Sequence, residues 1–265
     1  EGCHYRPSSC RKVLRAFVKE LDGRKTLDGV RLSGCENGDI RWFNKSYSRA
    51  VLGDPLVRTR LGALDIHSYC LHMPIPFFNN RMSFLKRFAK WMSKNYPDVP
   101  VNMSEWTHMQ GGRDKGMDSA LVTANVMYED LSVLNVISWQ HWIAVSEVNY
   151  CDGLIYINLD DKTFEMTKRY YVTGNFSKYV PTGSVRVDAA CNDPELRLLA
   201  FKYDGGCAVI VINSTKKEKE LSLPEQYSAV KSAVTDDNNN LCEYDIADPG
   251  YIKITPRSVT TIILR

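Results

Sequence analysis

Side chains that can do chemistry stand at the ends of short apolar segments. Segment 30–36 ends in Glu36, segment 64–69 in His67 and Tyr69, segment 99–106 in Glu105 and Trp106, and segment 133–142 in Trp139, Gln140, His141 and Trp142. Helix-like sequence separates these segments, and strands joined by helices run parallel with the binding mouth at their carboxyl ends. We therefore expect these side chains to converge on one pocket.

The chemistry that fits this set of residues is that of sugars. Flat indole and phenol rings stack on the apolar C–H faces of a pyranose, and carboxylates, amides and imidazoles pair with its hydroxyls. Hydrolysis of a glycosidic bond takes two carboxyl groups, which lie about 5–5.5 Å apart in a retaining enzyme. Glu105 is the candidate nucleophile, although a lone glutamate can also cap the following loop. Glu36 and Glu147 are the weaker candidates for the second carboxyl, and Glu36 fits a pocket wall at least as well.

Length and composition describe an ordinary globular chain. Its 265 residues are 44% hydrophobic and 25% charged, which allows a large core or two domains. The longest apolar runs, such as 133–137 and 209–212, are far shorter than the roughly 20 residues that cross a bilayer. The net charge is +3 and the basic residues are scattered. We therefore expect neither a membrane nor a nucleic-acid partner.

Cysteine spacing gives no sign of a metal centre. The eight cysteines form no C-x-x-C pair and no zinc-finger pattern. Buried thiols and disulfides such as Cys191–Cys207 or Cys3–Cys10 both remain open. The sequence has no glycine-rich phosphate loop, so we expect no metal and no cofactor, and the absence of a G-x-S-x-G motif argues against a serine triad.

Hydrophobic periodicity divides the chain into an α/β part and a β part. Helices are predicted at 8–22, 45–52, 81–95, 118–131 and 164–180, and they alternate with strands at 29–34, 63–69, 99–106, 133–139 and 154–159. After residue 183, short strands with turn signals follow at 185–189, 198–203, 208–213, 219–223, 229–235, 251–254 and 259–264. We predict a partial (β/α)8 TIM-type barrel over 1–180 and an antiparallel side β-sandwich over 181–265. A whole barrel takes on the order of 250 residues, so about half is expected here.

Several motifs, in order, resemble those of glycoside hydrolase family 30. They are Ser104-Glu105-Trp106, segment 111–120, segment 139–146 with 152–156, and segment 174–179 with 183–187. The resemblance covers nearly the whole chain. Segment 1–5 resembles the stretch just after the fourth barrel strand in the endo-β-1,6-galactanase-like branch.

The resemblance implies a (β/α)8 barrel with a side β-sandwich and retaining hydrolysis by two glutamates. Glu105 matches the nucleophile of the seventh strand, His67 and Tyr69 match the mouth of the sixth, and residues 139–142 match that of the eighth. The family's acid/base lies in an Asn-Glu-Pro motif on the fourth strand, and this sequence has none. The first four barrel strands and one sandwich strand are therefore expected upstream of Glu1, and this chain alone is expected to be inactive.

These expectations combine into a predicted function. The chain is the C-terminal part of a retaining endo-glycosidase that acts on a plant polysaccharide, with β-1,6-galactan first and glucuronoxylan or β-1,6-glucan as alternatives. A different class also remains open, a non-catalytic carbohydrate-binding or structural remnant whose sandwich is the functional module. The expected partners are a polysaccharide and the missing half of the barrel. A secreted, periplasmic or extracellular location follows only from where such polymers occur.

Overall fold

The computed structural model describes residues 5–41, 43–70, 80–224, 227–248 and 250–265. The described residues fall into two compact units. The first comprises Glu1–Trp106 with Glu129–His141, and the second comprises Thr107–Tyr128 with Trp142–Arg265.

A parallel sheet forms the centre of the first unit. Its described strands, in spatial order, are β1 (Leu32–Asn37), β2 (Leu61–His67), β3 (Val101–Trp106) and β4 (Ser138–His141). Each strand pairs in parallel with the next. The predicted alternation of parallel strands with helices is confirmed here. It arises because the connection between neighbouring parallel strands is a crossover, usually a helix.

Helices connect and flank these strands. They are α1 (Pro7–Asp22), α2 (Phe43–Leu52), α3 (Pro55–Arg60) and α4 (Arg81–Asn95). The bounds of α4 match the prediction, because Asn80 caps the helix by accepting from the Ser83 N–H and Phe84, Leu85, Phe88 and Met92 form its buried face.

Helix α3 was missed. The prediction placed no helix between 52 and 63, but Asp54 accepts from the N–H groups of Leu56 and Val57 and so begins a helix with proline at its first position. Helix α1 begins at Pro7, one residue before its predicted start, and no side chain caps it.

Helix α5 (Met117–Glu129) carries the chain toward β4. It continues into a π-helical turn, Asp130–Leu134, that ends at Asn135 in the left-handed region with φ 54°. The predicted strand 133–139 was therefore wrong in its first half. Its apolar residues close a buried helix end, which periodicity alone does not distinguish from a strand.

The second unit begins with a small sheet and a helix. The sheet contains β5 (Val145–Ser146), β6 (Ile155–Asn158) and β7 (Thr163–Met166), and helix α6 (Lys168–Ser177) follows. The helix predicted over 164–180 was wrong at its start, which is β7. Thr167 caps the helix by accepting from the Tyr170 N–H.

An antiparallel sheet dominates the rest of the second unit. Its described strands, in spatial order, are β13 (Cys242–Asp245), β12 (Ala229–Thr235), β15 (Ser258–Leu264), β10 (Gly206–Asn213), β9 (Leu196–Tyr203) and β8 (Val185–Val187), and a separate pair is formed by β11 (Lys219–Leu221) and β14 (Ile252–Ile254). Apolar side chains of the pair, such as Ile254, pack against Val211 and Ile262 of the large sheet. The opposite face carries α6, where the buried Asn175 donates to the Ala233 carbonyl over 2.9 Å. The predicted antiparallel strands are confirmed in type, and β13 was missed.

The compact units do not follow the predicted boundary at 180/181. The assignment of 1–180 to a catalytic barrel and 181–265 to a sandwich therefore stays a prediction. Each cysteine that the structure describes is a free thiol, including Cys191 and Cys207, while Cys3 lies outside the described residues. Within the described ranges, no helix is long and apolar enough to cross a membrane.

Candidate active site

Glu105 lies near the carboxyl end of β3 in the first unit, with 28% of its side chain exposed. The Tyr69 hydroxyl donates to Glu105 Oε1 over 3.3 Å, and His67 Nδ1 lies 3.7 Å from the same oxygen. The structure thus brings together the residues predicted at the ends of β2 and β3. A carboxylate held by a phenol and open to solvent suits nucleophilic attack on a ligand.

Glu36, at the end of β1, joins the same group from the other side of His67. Its Oε2 lies 2.8 Å from His67 Nε2 and accepts a 2.6 Å hydrogen bond from Ser104 Oγ. The imidazole therefore lies between the carboxylates of Glu36 and Glu105. Ser104 was not among the predicted contact residues, although it precedes Glu105 directly.

Irregular strand pairing creates this arrangement. Between Ile66 and His67 of β2, the facing strand β3 advances by two residues, from Met103 to Glu105. Ser104 is the extra residue, so the usual alternation of side chains is interrupted there. This bulge lets Ser104 reach Glu36 while Glu105 contacts Tyr69.

A second irregularity places Glu36. Cys35 pairs with Asp65 and Asn37 with Ile66, which leaves Glu36 as the extra residue of β1. Its φ of 56° is in the left-handed region, which costs a non-glycine residue roughly 1–2 kcal/mol. Strained residues of this kind cluster at functional sites, where the surrounding structure holds them.

The pKa values of the neighbouring carboxyl groups Glu36 and Asp65 are shifted in opposite directions. Burial acts to raise the pKa of Glu36, but hydrogen bonds from His67 and Ser104 outweigh it and hold that pKa below its ordinary value. Burial raises the pKa of the neighbouring Asp65 against hydrogen bonds from Ser33 and Asn102, and the nearby Glu36 charge acts in the same direction as burial. Glu36 is thus the group that stays ionised, and Asp65 is the one that keeps a proton more readily.

An aromatic stack lies at the end of β3 and β4. The ring of Trp139 lies 6.0 Å from that of Trp106 and 6.2 Å from that of His141. Trp106 was predicted to contact substrate, but it is only 6% exposed and so packs beneath Trp139. His141 is half-buried. Of these three rings, Trp139 makes a further hydrogen bond, through its indole Nε1–H.

That hydrogen bond ends on Asp130, which is fully buried. Trp139 Nε1 donates to Asp130 Oδ2 over 3.0 Å, and Ser68 Oγ donates to the same oxygen over 2.7 Å. Arg81 Nη2 lies 2.5 Å from Asp130 Oδ1 and also donates to Ser68 Oγ. Burial raises the pKa of Asp130, and Arg81 acts against that shift. Sequence reasoning missed this cluster, because Arg81 and Asp130 stand at helix ends and resemble surface charges.

The remaining predicted residues are exposed. Gln140 lies on β4 with its side chain in solvent. Trp142 and Glu147 belong to the second unit, where Trp142 is 49% exposed and the Glu147 carbonyl accepts from the Arg113 guanidinium. The substrate-binding roles of Gln140, His141 and Trp142 stay predictions. Within the part of the chain that the structure describes, no group of three or more His, Cys, Asp or Glu residues is placed to hold a metal ion.

A buried cation stabilises the loop that follows β3. Arg169 in α6 is fully buried and donates to the carbonyls of Asp114 and Gly153 over 2.6 and 2.8 Å. It also donates to Ser119 Oγ over 2.6 Å, and that oxygen lies 2.9 Å from His108 Nδ1. Burial lowers the pKa of His108, and the Arg169 charge lowers it further. All of these residues belong to the second unit.

Parts of this sequence are similar to known glycoside hydrolases. Residues 42–156 match the sequence model of O-glycosyl hydrolase family 30. The chain is also 23% identical over 207 residues to the lysosomal acid glucosylceramidase of Mus musculus, a match that covers 71% of this chain and 37% of the mouse protein.

Solved structures show the same fold. A conserved exported protein from Bacteroides fragilis superposes with a TM-score of 0.83 at 17% identity, over 99% of this chain and 61% of that one. A glycoside hydrolase family 30 subfamily 8 xylanase from Clostridium acetobutylicum superposes with a TM-score of 0.72 at 18% identity, over 100% of this chain and 62% of that one. The chain thus spans less than two thirds of these proteins.

The fold and the sequence match together support the glycoside hydrolase class. Within that class they support family 30, whose sequence model covers the segment that contains Glu105, Tyr69 and His67.

Proposed function

We propose that this chain is the C-terminal part of a retaining endo-glycosidase of family 30, with Glu105 as its nucleophile. The observation that carries the proposal is the contact of Glu105 Oε1 with both Tyr69 and His67 at the carboxyl end of the parallel sheet. Parallel α/β enzymes place their catalytic residues at that end. The match of residues 42–156 to the family model supports the same assignment.

Hydrolysis then takes two displacements. In the first, a Glu105 carboxylate oxygen bonds to the anomeric carbon while the glycosidic bond breaks, and the leaving oxygen takes a proton from an acid. In the second, that group, now a base, removes a proton from water, and the water oxygen displaces Glu105 from the anomeric carbon. The hydroxyl of Tyr69 orients the attacking carboxylate, and His67 lies beside the same oxygen.

The acid/base is proposed to come from sequence outside these 265 residues. The family motif Asn-Glu-Pro does not occur in the chain, and general acid catalysis is worth about 10²- to 10⁴-fold. Glu36 accepts hydrogen bonds and has a lowered pKa, which suits a proton donor poorly. The described parallel strands would then be the second half of a (β/α)8 barrel, followed by the side β-sandwich. The spans of 61% and 62% over longer relatives support this view.

The proposed substrate is a plant polysaccharide, with β-1,6-galactan first. That choice rests on the resemblance of segment 1–5 to the galactanase-like branch. Glucuronoxylan and β-1,6-glucan are the alternatives, and the similarity to a family 30 xylanase supports the former. An exported enzyme fits a polymer substrate, and the similarity to a conserved exported protein of Bacteroides fragilis supports a secreted location.

A second candidate function belongs to a different class. The chain as it stands would be a non-catalytic carbohydrate-binding or structural remnant, with its antiparallel sheets as the working module. The absence of an Asn-Glu-Pro motif from the sequence favours this alternative.

Activity of the full-length gene product separates the two candidates. We would assay release of reducing ends from β-1,6-galactan, glucuronoxylan and β-1,6-glucan by the wild type, by Glu105→Gln and by Glu20→Gln, a glutamate on α1 whose side chain is 63% exposed and which serves as the control. Glu105→Gln should lose activity by on the order of 10⁴-fold or more, and Glu20→Gln should retain it. Equal turnover by all three proteins would remove Glu105 from the mechanism, and no turnover of any polymer by the wild type would favour the remnant.

A further inference from the structure

We propose that Glu36 is the positioning residue of this site and that its carboxylate fixes the His67 imidazole with Nδ1 toward Glu105. The assignment rests on the proposed function for its catalytic meaning. The structural part of the proposal can be tested without an activity assay, because it states which ring nitrogen of the neutral His67 imidazole carries the proton.

The first step of the argument is the backbone at Glu36. The residue is the unpaired position of a bulge in β1 and has a left-handed φ of 56°. Bulges redirect a side chain relative to its strand, and glycine is the usual residue in this conformation. A glutamate here bears a backbone cost, which indicates that its side chain has a use that glycine could not supply.

The second step is the set of donors around the carboxylate. Glu36 Oε2 accepts from Ser104 Oγ over 2.6 Å and lies 2.8 Å from His67 Nε2. Ser104 is itself the extra residue of the bulge in β3. Irregularities in β1 and in β3 thus meet at one carboxylate oxygen, which acts as an acceptor. The lowered pKa of Glu36 is consistent with this ionised role.

The third step is the orientation of His67. A carboxylate has only acceptor atoms, so the ring nitrogen 2.8 Å from it must be the donor. Nε2 therefore carries the proton, and the ring is turned so that Nδ1 lies 3.7 Å from Glu105 Oε1. The Tyr69 ring packs edge-on against the imidazole, with centroids 6.1 Å apart and planes at 81°. Glu36 and Tyr69 together thus restrict the rotation of the imidazole.

This arrangement gives Glu36 an effect on the reaction although it acts through another residue. A His67 held in this orientation presents the same nitrogen to Glu105 before and after the carboxylate gives up its charge. Without Glu36 the ring could turn, exchange its tautomer or bind solvent. The nucleophile would then lose one of the groups that define its environment.

The test is nitrogen-15 NMR of the chain with labelled histidine, with His67 assigned by the signals that vanish in His67→Gln. At a pH where the imidazole is neutral, the wild type should show the Nε2–H tautomer and a slowly exchanging Nε2 proton. Glu36→Ala should lose slow exchange and show mixed tautomers. Glu36→Gln, whose amide oxygen can still accept, should restore the Nε2–H tautomer.

Ser104→Ala is the matched control, because it removes another donor to Glu36 and leaves the His67 contact. It should keep the wild-type tautomer. An Nδ1–H tautomer in the wild type, or identical His67 spectra for the wild type and Glu36→Ala, would overturn the proposal. If Glu36→Ala does not fold, the tautomers of the wild type and Glu36→Gln still decide, since both must carry the proton on Nε2.

The full-length enzyme supplies the catalytic part of the test. Glu36→Ala should lower kcat by roughly 10- to 100-fold with little change in KM, and Glu36→Gln should recover part of the loss. An unchanged kcat would overturn the catalytic role while the NMR result stands. Full activity of Glu105→Gln would instead refute the proposed function and leave the His67 tautomer as an independent result.

Discussion

The Tyr69 hydroxyl donates a hydrogen bond of 3.3 Å to Glu105 Oε1, and His67 Nδ1 lies 3.7 Å from the same oxygen. The phenol is thus a neutral donor that orients the candidate nucleophile without removing its charge.

Tyr69→Phe should lower kcat/KM of the full-length enzyme by roughly 10-fold or more, because it removes one hydrogen bond to a charged group. Steady-state kinetics on the best polymer substrate measures the effect. Tyr96→Phe, on the same unit but with its ring edge-on against Trp91, is the control and should keep wild-type kinetics. Wild-type kinetics for Tyr69→Phe would show that this contact does not act in the reaction.

Arg81→Leu should destabilise the first unit by roughly 3–5 kcal/mol, because it leaves the fully buried Asp130 carboxylate without its cation. Urea unfolding followed by tryptophan fluorescence measures the change. Lys86→Ala, exposed on the same helix, is the control. The double variant Arg81→Leu/Asp130→Leu should recover part of the loss, because the fully buried carboxylate is then gone, although Glu129 still loses its ion pair with Arg81. A double variant less stable than Arg81→Leu alone would contradict this account.

Asp54 should make the first unit sensitive to acid. Burial acts to raise the pKa of Asp54, but Arg15 and the N–H groups of Val57 and Leu56 outweigh it and hold that pKa below its ordinary value. A lowered folded-state pKa adds stability above the unfolded value of about 3.9, and that stability is lost as the pH falls through the folded value.

Urea midpoints between pH 7 and pH 2.5 measure this effect. In Asp54→Asn, which can still cap α3, the loss of stability toward acid should be smaller than in the wild type, and the loss at pH 7 should be only about 1 kcal/mol because water screens the half-exposed Arg15. The same pH slope in wild type and variant would be the contrary result.

Arg169→Lys should destabilise the second unit by roughly 2–4 kcal/mol, although the charge is kept. The guanidinium donates in several directions, to Asp114, Ser119, Gly153 and Tyr156, and a single ammonium cannot reach the same set. Thermal unfolding measures the change, with the exposed Lys202→Ala as the control. Equal stability of Arg169→Lys and the wild type would mean that the hydrogen bonds of the Arg169 guanidinium do not contribute to the stability of the second unit.

His108 should make stability fall between neutral and mildly acidic pH. Burial, with Arg169 behind it, lowers the pKa of His108 in the folded state. Between the folded value and the unfolded value of about 6.5, the unfolded chain binds more protons, so stability rises with pH in that window and declines as pH falls below 6.5. Unfolding midpoints at pH 5 and pH 7.5 should differ less in His108→Gln than in the wild type. An unchanged difference would assign the pH dependence to other groups.

Much of the site could be predicted from sequence because its residues follow apolar strands. The pattern before Glu105 indicated a buried strand, and the apolar period of segment 81–95 predicted the helix that is α4. The bulges could not be predicted, since an extra residue such as Ser104 carries no compositional mark. The contact between Glu36 and His67 depends on that geometry, so it was missed as well.

The errors in secondary structure have local physical causes. The apolar residues after Asp130 belong to the π-helical turn into which α5 continues. This apolar run was too short for periodicity to distinguish a helix from a strand. The stretch around Phe164 was predicted as helix from its aromatic spacing, but pairing with β6 made it a strand. At Phe164 the pairing of two neighbouring strands overrode the helical preference of the segment.

Neither compact unit is a contiguous stretch of sequence, because the chain passes from one to the other after Trp106, Tyr128 and His141. A cut after residue 180 would part α6 from the sheet on which the buried Asn175 is held by Ala233 and Thr235. The β-rich unit therefore cannot be exchanged between proteins as one uninterrupted cassette. Recombination that preserves it must carry the segment from Thr107 to Tyr128 along with the C-terminal strands, and with them the intervening residues 129–141, which belong to the first unit.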